Sequence, residues 1–310
     1  MANLKNIRDR ISSINNTQKI TRAMKMVAAA KVKKSENRVK SSRPFAEELS
    51  AMISRLMGSL EYFSADVVNE DRPLENYPAL LQSRDVKNVG ILVVTSNKGL
   101  AGAFNANVIR AAIKKIEDYN SKGIGCKLFI VGQKGFNVLK RLTQGQVNAP
   151  KLNLEILQAY TKFAQDPTSA AASVVAEDMA KAFVEHQIDS MEIVTTKFKN
   201  MMSSSVENWQ ILPLAKESHK GILVDSQMEF EPDLSSILAK IIPLYIANTI
   251  FQAFLESTAS ELSSRMTAMS AACNNAEDMI RTLTIDYNKA RQSAITQEIT
   301  EVVSGADSLK

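Results

Sequence analysis

A long antiparallel two-helix coiled coil made from the two ends of the chain, with an α/β domain inserted between them, is the fold class that three observations predict. The segment Leu244 to Ser304 runs for 61 residues without glycine or proline and carries an apolar repeat that steps alternately by three and four. No glycine or proline occurs before Pro44, and the apolar residues there begin with the same spacing. Between these ends, short β-branched runs alternate with amphipathic stretches, the pattern of a mostly parallel sheet covered on both faces.

The first element is a helix over residues 1–57. Leu4, Ile7, Ile11 and Ile14 keep the three-four spacing, and a second set, Ile20, Met24 and Val27, arrives one position early, so the seam is expected to be interrupted. Alanines 23, 28, 29 and 30 are expected to face the partner seam and to let the helices approach closely. Residues 58–85, with Pro73 and Pro78, form a connection.

The α/β domain occupies 86–215. Val89 to Thr95, Cys126 to Val131, Met191 to Phe198 and Val206 to Leu212 are its strands. Asn105 to Tyr119, a stretch ending at Leu142 and Ala170 to His186 are its helices. A second connection covers 216–232, and Asp233, after Pro232, is a plausible N-cap for the last helix, 233–310, with Pro243 kinking its early part. Its seam reads Ala259, Leu262, Met266, Met269, Cys273, Ala276, Ile280, Leu283, Tyr287, Ala290 and Ala294, five heptads without a miss. A strict seven-residue period predicts left-handed supercoiling. The seam would span roughly 54 Å and residues 3–43 roughly 60 Å, so each is long enough to pair with the other.

Composition narrows the function. Cys126 and Cys273 lie far apart, and only His186 and His219 could supply nitrogen ligands, so neither a disulfide framework nor a zinc site is supported. The loop Ser96 to Phe104 invites a phosphate, but its Gly99 and Gly102 satisfy neither the P-loop nor the dinucleotide pattern, which favours a tight turn. His186 ends an amphipathic helix and His219 sits in a polar loop, so no triad is suggested, and the carboxylate pairs Glu47–Glu48 and Glu277–Asp278 are neighbours that do not converge on one substrate. The apolar run Ile241 to Leu255 is shorter than the roughly 20 residues of a bilayer span, and it reads as a helix buried beside the globular domain. Asn3, Leu4 and Lys5 do not open a signal peptide, so residue 1 is expected to be the mature start, in a bacterial or organelle-encoded setting.

Charge is uneven. Residues 1–43 hold twelve Lys or Arg against Asp9 and Glu36, a local net of +10 in a chain whose total is +5. Without interleaved aromatics, nucleic acid is the weakest candidate partner for this helix, and an acidic protein surface or plain solvation is favoured.

Two segments carry a specific resemblance. Asn16 to Lys31 (NTQKITRAMKMVAAAK) and Tyr287 to Ala306 (YNKARQSAITQEITEVVSGA) resemble the two signature ends of the gamma subunits of F-type ATP synthases, and Arg43 to Leu49 and Ser263 to Ala276 extend the likeness. The resemblance implies a Rossmann-like inserted domain and a non-catalytic rotor with no cofactor. Such a subunit turns inside a ring of alpha and beta subunits and rests with epsilon on the c-subunit ring. It couples proton flow to ATP synthesis, and its membrane contact, at the cytoplasmic face of a bacterial inner membrane, is only indirect. By motif, Arg291, Gln292, Thr296 and Glu298 are similar to residues that meet beta-subunit loops, and Met24 with Lys25 to positions near a lower rotor-stator contact. Beyond Ala294 the seam positions become Gln297 and Glu301, while Ile295, Ile299, Val302 and Val303 form a new apolar face that needs another partner. The chain departs from the family in its first strand-loop, at Asn97, Lys98, Ala101 and Ala103, and it lacks the paired-cysteine insertion of chloroplast members between Leu214 and Pro232. The alternative reading is a non-catalytic coiled-coil scaffold whose basic helix binds an acidic partner.

Overall fold

A computed structural model describes residues 2–66, 79–81, 84–144, 152–163, 166–213 and 234–307. The residues form two compact units, one of residues 1–30 with 265–310 and one of residues 31–264. Helix α1 (Ala2–Asp66) and helix α5 (Leu234–Asp307) each contribute to both. The expected connection 58–85 thus begins inside α1; most of its remainder, and the whole of 216–232 with Asp233, lie outside the described residues.

The larger unit is built on a five-stranded sheet. In chain order come β1 (Asn88–Val94), α2 (Phe104–Ser121), β2 (Gly125–Val131), α3 (Gln133–Thr143), β3 (Leu154–Tyr160), α4 (Ser169–Val184), β4 (Ser190–Asn200) and β5 (Ser203–Leu212). The sheet order is β3-β2-β1-β4-β5. β1 to β4 are parallel, with Ile91 opposite Leu128 and Val93 opposite Val194, and β5 returns antiparallel to β4.

Continuous apolar strands need cover on both faces. On one face Val89, Ile91, Val93, Leu128 and Ile130 pack under α2 and α3 through Val108, Ala112, Ile116 and Leu139. On the other, Leu92, Val94, Phe129, Met191 and Ile193 meet Val175, Met179 and Phe183 of α4, together with Ile242, Ile246, Ile250, Ala253 and Phe254 of α5. By length and composition alone α5 contains a segment apolar enough to cross a membrane. Within it Leu238, Ile242, Ile246, Ile250, Ala253 and Phe254 are buried in the sheet's core, while Leu244 is exposed.

Strand β3 is absent from the sequence reading. It is an edge strand whose side chains are mostly half-buried or exposed, so it lacks the apolar run that marks β1 and β2. The starts of β1 and β4 are tied by charge: Arg84 pairs with Asp189 at 2.7 Å and donates to the Phe183 carbonyl, while Asp189 accepts from the amides of Lys87 and Asn88.

Three weak acids of the sheet and its helices, Cys126 and Tyr160 buried and Tyr119 half-buried, resist ionisation. Burial, and secondarily Glu192, pushes the Cys126 thiol up from 9.0 to about 11. Burial and the hydrogen bond to Glu192 raise Tyr119, and burial with the bond to Asp178 raises Tyr160. The unfolded chain releases these protons sooner than the folded one, so stability is complete below the ordinary thiol value and falls as pH rises through the alkaline range. Melting temperatures measured against pH should hold near neutrality and decline once pH passes about 9, the thiol first and the tyrosines after it. Because Cys126 and Cys273 are both buried, an aromatic disulfide reagent near neutral pH should find no thiol until denaturant is added.

In the smaller unit the seam of α5 is as expected. Met269, Cys273 and Ala276 are buried, and Ile280, Leu283, Tyr287, Ala290 and Ala294 are half-buried between exposed neighbours. The seam of α1 is not interrupted. Its inward positions continue through Gln18, Thr21, Lys25 and Ala28 and pass into the larger unit as Val32 and Val39, one unbroken three-four series. Ile20 and Val27 point outward at 60% and 57% exposure, and Ala23 and Ala30 are exposed too; of the four alanines only Ala28 is buried. Two paired helices must keep the register set by Leu4 to Ile14, so polar and small residues occupy the seam where the apolar set has shifted.

Candidate functional site

Among the described residues, no catalytic constellation forms around the strand-loop. The Asn105 Oδ1 accepts from the Ser96 amide at 3.0 Å, Asn97 Oδ1 accepts from the Gln133 amide at 2.9 Å, and the Asn97 amide group donates to the Thr161 carbonyl. Polar side chains of the loop thus fasten β1 to α2, α3 and the end of β3. Leu100 and Gly102, with φ of 62° and 54°, make the turn. Asn97, one of the departures from the family pattern, is a fastening residue in this loop.

The residues singled out at the carboxy-terminal end sit together on one exposed helix. Arg291, Gln292, Thr296 and Glu298 are all exposed, and Gln292 and Thr296 line a shallow groove with Lys289, Ser293, Gln297 and Thr300. Within it Thr296 Oγ1 donates to the Gln292 carbonyl at 2.9 Å, and Gln297 donates to Glu301 at 2.9 Å. Beside this polar strip Ile295, Ile299, Val302 and Val303 are 47%, 59%, 71% and 55% exposed. The half-buried seam of α5 ends at Ala294, and the apolar residues that follow it are exposed among the described residues of this unit.

Met24 and Lys25 are half-buried on α1. The surface beside them is more apolar than the sequence suggested: Ile20, Met26 and Val27 are exposed, and Lys19, Arg22, Lys31 and Lys34 flank them. Sequence reasoning assigned Ile20 and Val27 to the seam because they are apolar at helical spacing, and only the continued register of Gln18, Thr21 and Ala28 excludes them.

A second set of residues escaped the sequence altogether. Glu256 of α5 is 2% exposed. Its Oε1 accepts from Arg43 Nε at 3.0 Å and Nη2 at 2.9 Å and from Gln252 Nε2 at 2.9 Å, while its Oε2 accepts from the Phe198 amide at 2.7 Å. Arg43 Nη2 also donates to the Phe198 carbonyl at 2.8 Å, and Ser42 Oγ donates to Gln252 Oε1. Around this node Phe198 packs with Val39, Leu255 and Ala259. The available signal was a single carboxylate closing the apolar run Ile241 to Leu255.

An apolar seam on two long helices and an α/β unit interposed between them in sequence define a class: coiled-coil proteins carrying an inserted α/β domain. The chain belongs to the ATP synthase gamma-chain family. A profile of the ATP synthase family matches residues 3–309. ATP synthase gamma chains of Gloeothece citriformis and of a Cyanothece strain are 38% and 39% identical to it, each alignment covering 100% of both chains. Among solved structures, one described as the central stalk and c-ring of Tetrahymena thermophila mitochondrial ATP synthase is similar at 26% identity and a TM-score of 0.59, over 82% of this chain and 99% of that one. A Euglena gracilis mitochondrial ATP synthase chain matches in fold at 16% identity and a TM-score of 0.67, over 99% of this chain and 95% of that one.

Proposed function

We propose that this chain is the central-stalk rotor subunit of a proton-translocating F-type ATP synthase, and that it carries no catalytic centre of its own. Its partners in this reading are the alpha and beta subunits, epsilon and the c-subunit ring, and it is held at the cytoplasmic face of a bacterial inner membrane through that ring. The observation that carries the reading is the tip of α5, where Ile295, Ile299, Val302 and Val303 lie exposed beyond the end of the seam. An apolar face of this kind is stable in water only at a cost of roughly 25 cal/mol for each Å² left uncovered, which a surrounding collar of subunits removes. The polar strip of Arg291, Gln292, Thr296 and Glu298 is assigned to beta-subunit loops that press on the shaft, and Met24 with Lys25 to a second contact further along α1. A lopsided shaft presents each catalytic subunit with a different contact at each angle, and differential contact is what shifts a neighbour between conformations.

Purified chain should show no ATPase activity and should restore ion-coupled hydrolysis only when assembled with its partner subunits. Hydrolysis by the chain alone would end the proposal. Val302→Asp separates the tip's role from folding: at 71% exposure it should change the melting temperature of the isolated chain by no more than about 0.5 kcal/mol implies, yet weaken assembly with alpha and beta subunits. Unchanged assembly would remove the tip as a contact. Salt-sensitive binding to an acidic protein with no effect on hydrolysis would favour the scaffold reading instead.

A further inference from the structure

We infer that Arg43, Gln252 and Glu256 form a lock that holds the α/β unit in angular register with both long helices, so that load on the one reaches the others. The inference rests on the rotor reading. The cover that α5 gives the sheet is apolar, through Ile242, Ile246, Ile250, Ala253 and Phe254. Apolar contact is non-directional, so it resists separation well and sliding or turning poorly. Charge-assisted hydrogen bonds with a guanidinium fork are directional.

At the lock three elements meet through such bonds. Phe198 of β4 has its amide taken by Glu256 of α5 and its carbonyl by Arg43 of α1. Arg43 and Glu256 are bonded to each other, and Gln252, one turn earlier on α5, ties Glu256 to Ser42 of α1. Phe198 is also where the β4–β5 register shifts, so the ladder is locally broken at the strand residue that the two helices hold. A turn of either helix against the sheet must break several of these bonds at once. Arg43 and Glu256 are positioning residues: they touch no nucleotide and act by keeping the shaft from yielding internally.

The test uses the full chain assembled with its alpha, beta, epsilon and membrane subunits in vesicles, reading ATP hydrolysis and ATP-driven acidification side by side. The paired substitution Arg43→Met with Glu256→Met replaces a half-exposed guanidinium and its buried carboxylate by apolar side chains and leaves the Phe198 amide without its acceptor. The expected result is a somewhat lowered melting temperature and an unchanged hydrolysis rate with most of the acidification lost. Arg43→Lys keeps the charge without the fork and should fall between. Glu256→Gln keeps an acceptor for the Phe198 amide without the ion pair and should also fall between. Equal acidification per ATP in the Met pair and the unsubstituted complex overturns the lock. So does a Met pair that fails to assemble while Arg43→Lys and Glu256→Gln acidify as fully as the unsubstituted complex. An unsubstituted complex that hydrolyses ATP without acidifying the vesicles overturns the rotor reading itself, a failure the variants cannot mimic.

Discussion

Met269→Asp is expected to lower the stability of the coiled-coil unit by about 3–5 kcal/mol, the range for removing a buried methionine and leaving an unpaired charge in its place. Met269 is 4% exposed and occupies a seam position of the coiled-coil unit. Leu283→Asp, at a half-buried seam position, should cost less, because its carboxylate can reach water. Ile20→Asp is the informative control. Read from apolar spacing it would be as damaging as the others, yet at 60% exposure it should change stability by no more than about 0.5 kcal/mol. Thermal melts followed by helical circular dichroism rank the three, and a large effect at Ile20 with none at Met269 would mean that the seam register is wrong.

Gly132→Ala should destabilise the α/β unit severely. Gly132 opens α3 with φ of 95°, a conformation that costs a non-glycine residue about 1–3 kcal/mol. An added Cβ would also sit 2.2 Å from the carbonyl oxygen of Thr95 and 2.6 Å from its carbon, which are backbone atoms of the neighbouring chain end and cannot rotate away. Overpacking of this kind adds a further penalty of about 1–3 kcal/mol. Denaturant titration of the variant should show an earlier midpoint for the sheet signal, whereas Gly123→Ala meets nothing within 4 Å and carries only the backbone strain of its φ of 75°. Equal midpoints for the two variants would show that the approach of Gly132 to Thr95 is looser than described.

Some of this was legible in residue order and some was not. The helices α1 and α5, and the strands β1, β2 and β4, announce themselves because each buries a whole stripe or both faces, so composition and period agree. β3 does not, since an edge strand covered on one side has no signature beyond a few apolar residues. At the tip, Ile295, Ile299 and Val302 were readable as an unpartnered face, because the α5 seam visibly changes to Gln297 and Glu301. On α1 the same reasoning misplaced Ile20 and Val27. Hydrophobicity states which residues would gain from burial, and only the partner's position states which of them are buried.

The lock marks the limit of residue order. Arg43 and Glu256 are separated by more than two hundred positions, and each alone resembles a solvated surface charge. Periodicity and the placement of glycine and proline were enough to establish two long helices, a covered parallel sheet between them in sequence and a new apolar face beyond the end of the seam, because those features follow from local geometry repeated along the chain. Which apolar face turns inward, which strand closes the sheet edge and which charges meet in the interior were settled by packing, since those outcomes depend on distances between residues far apart in the chain.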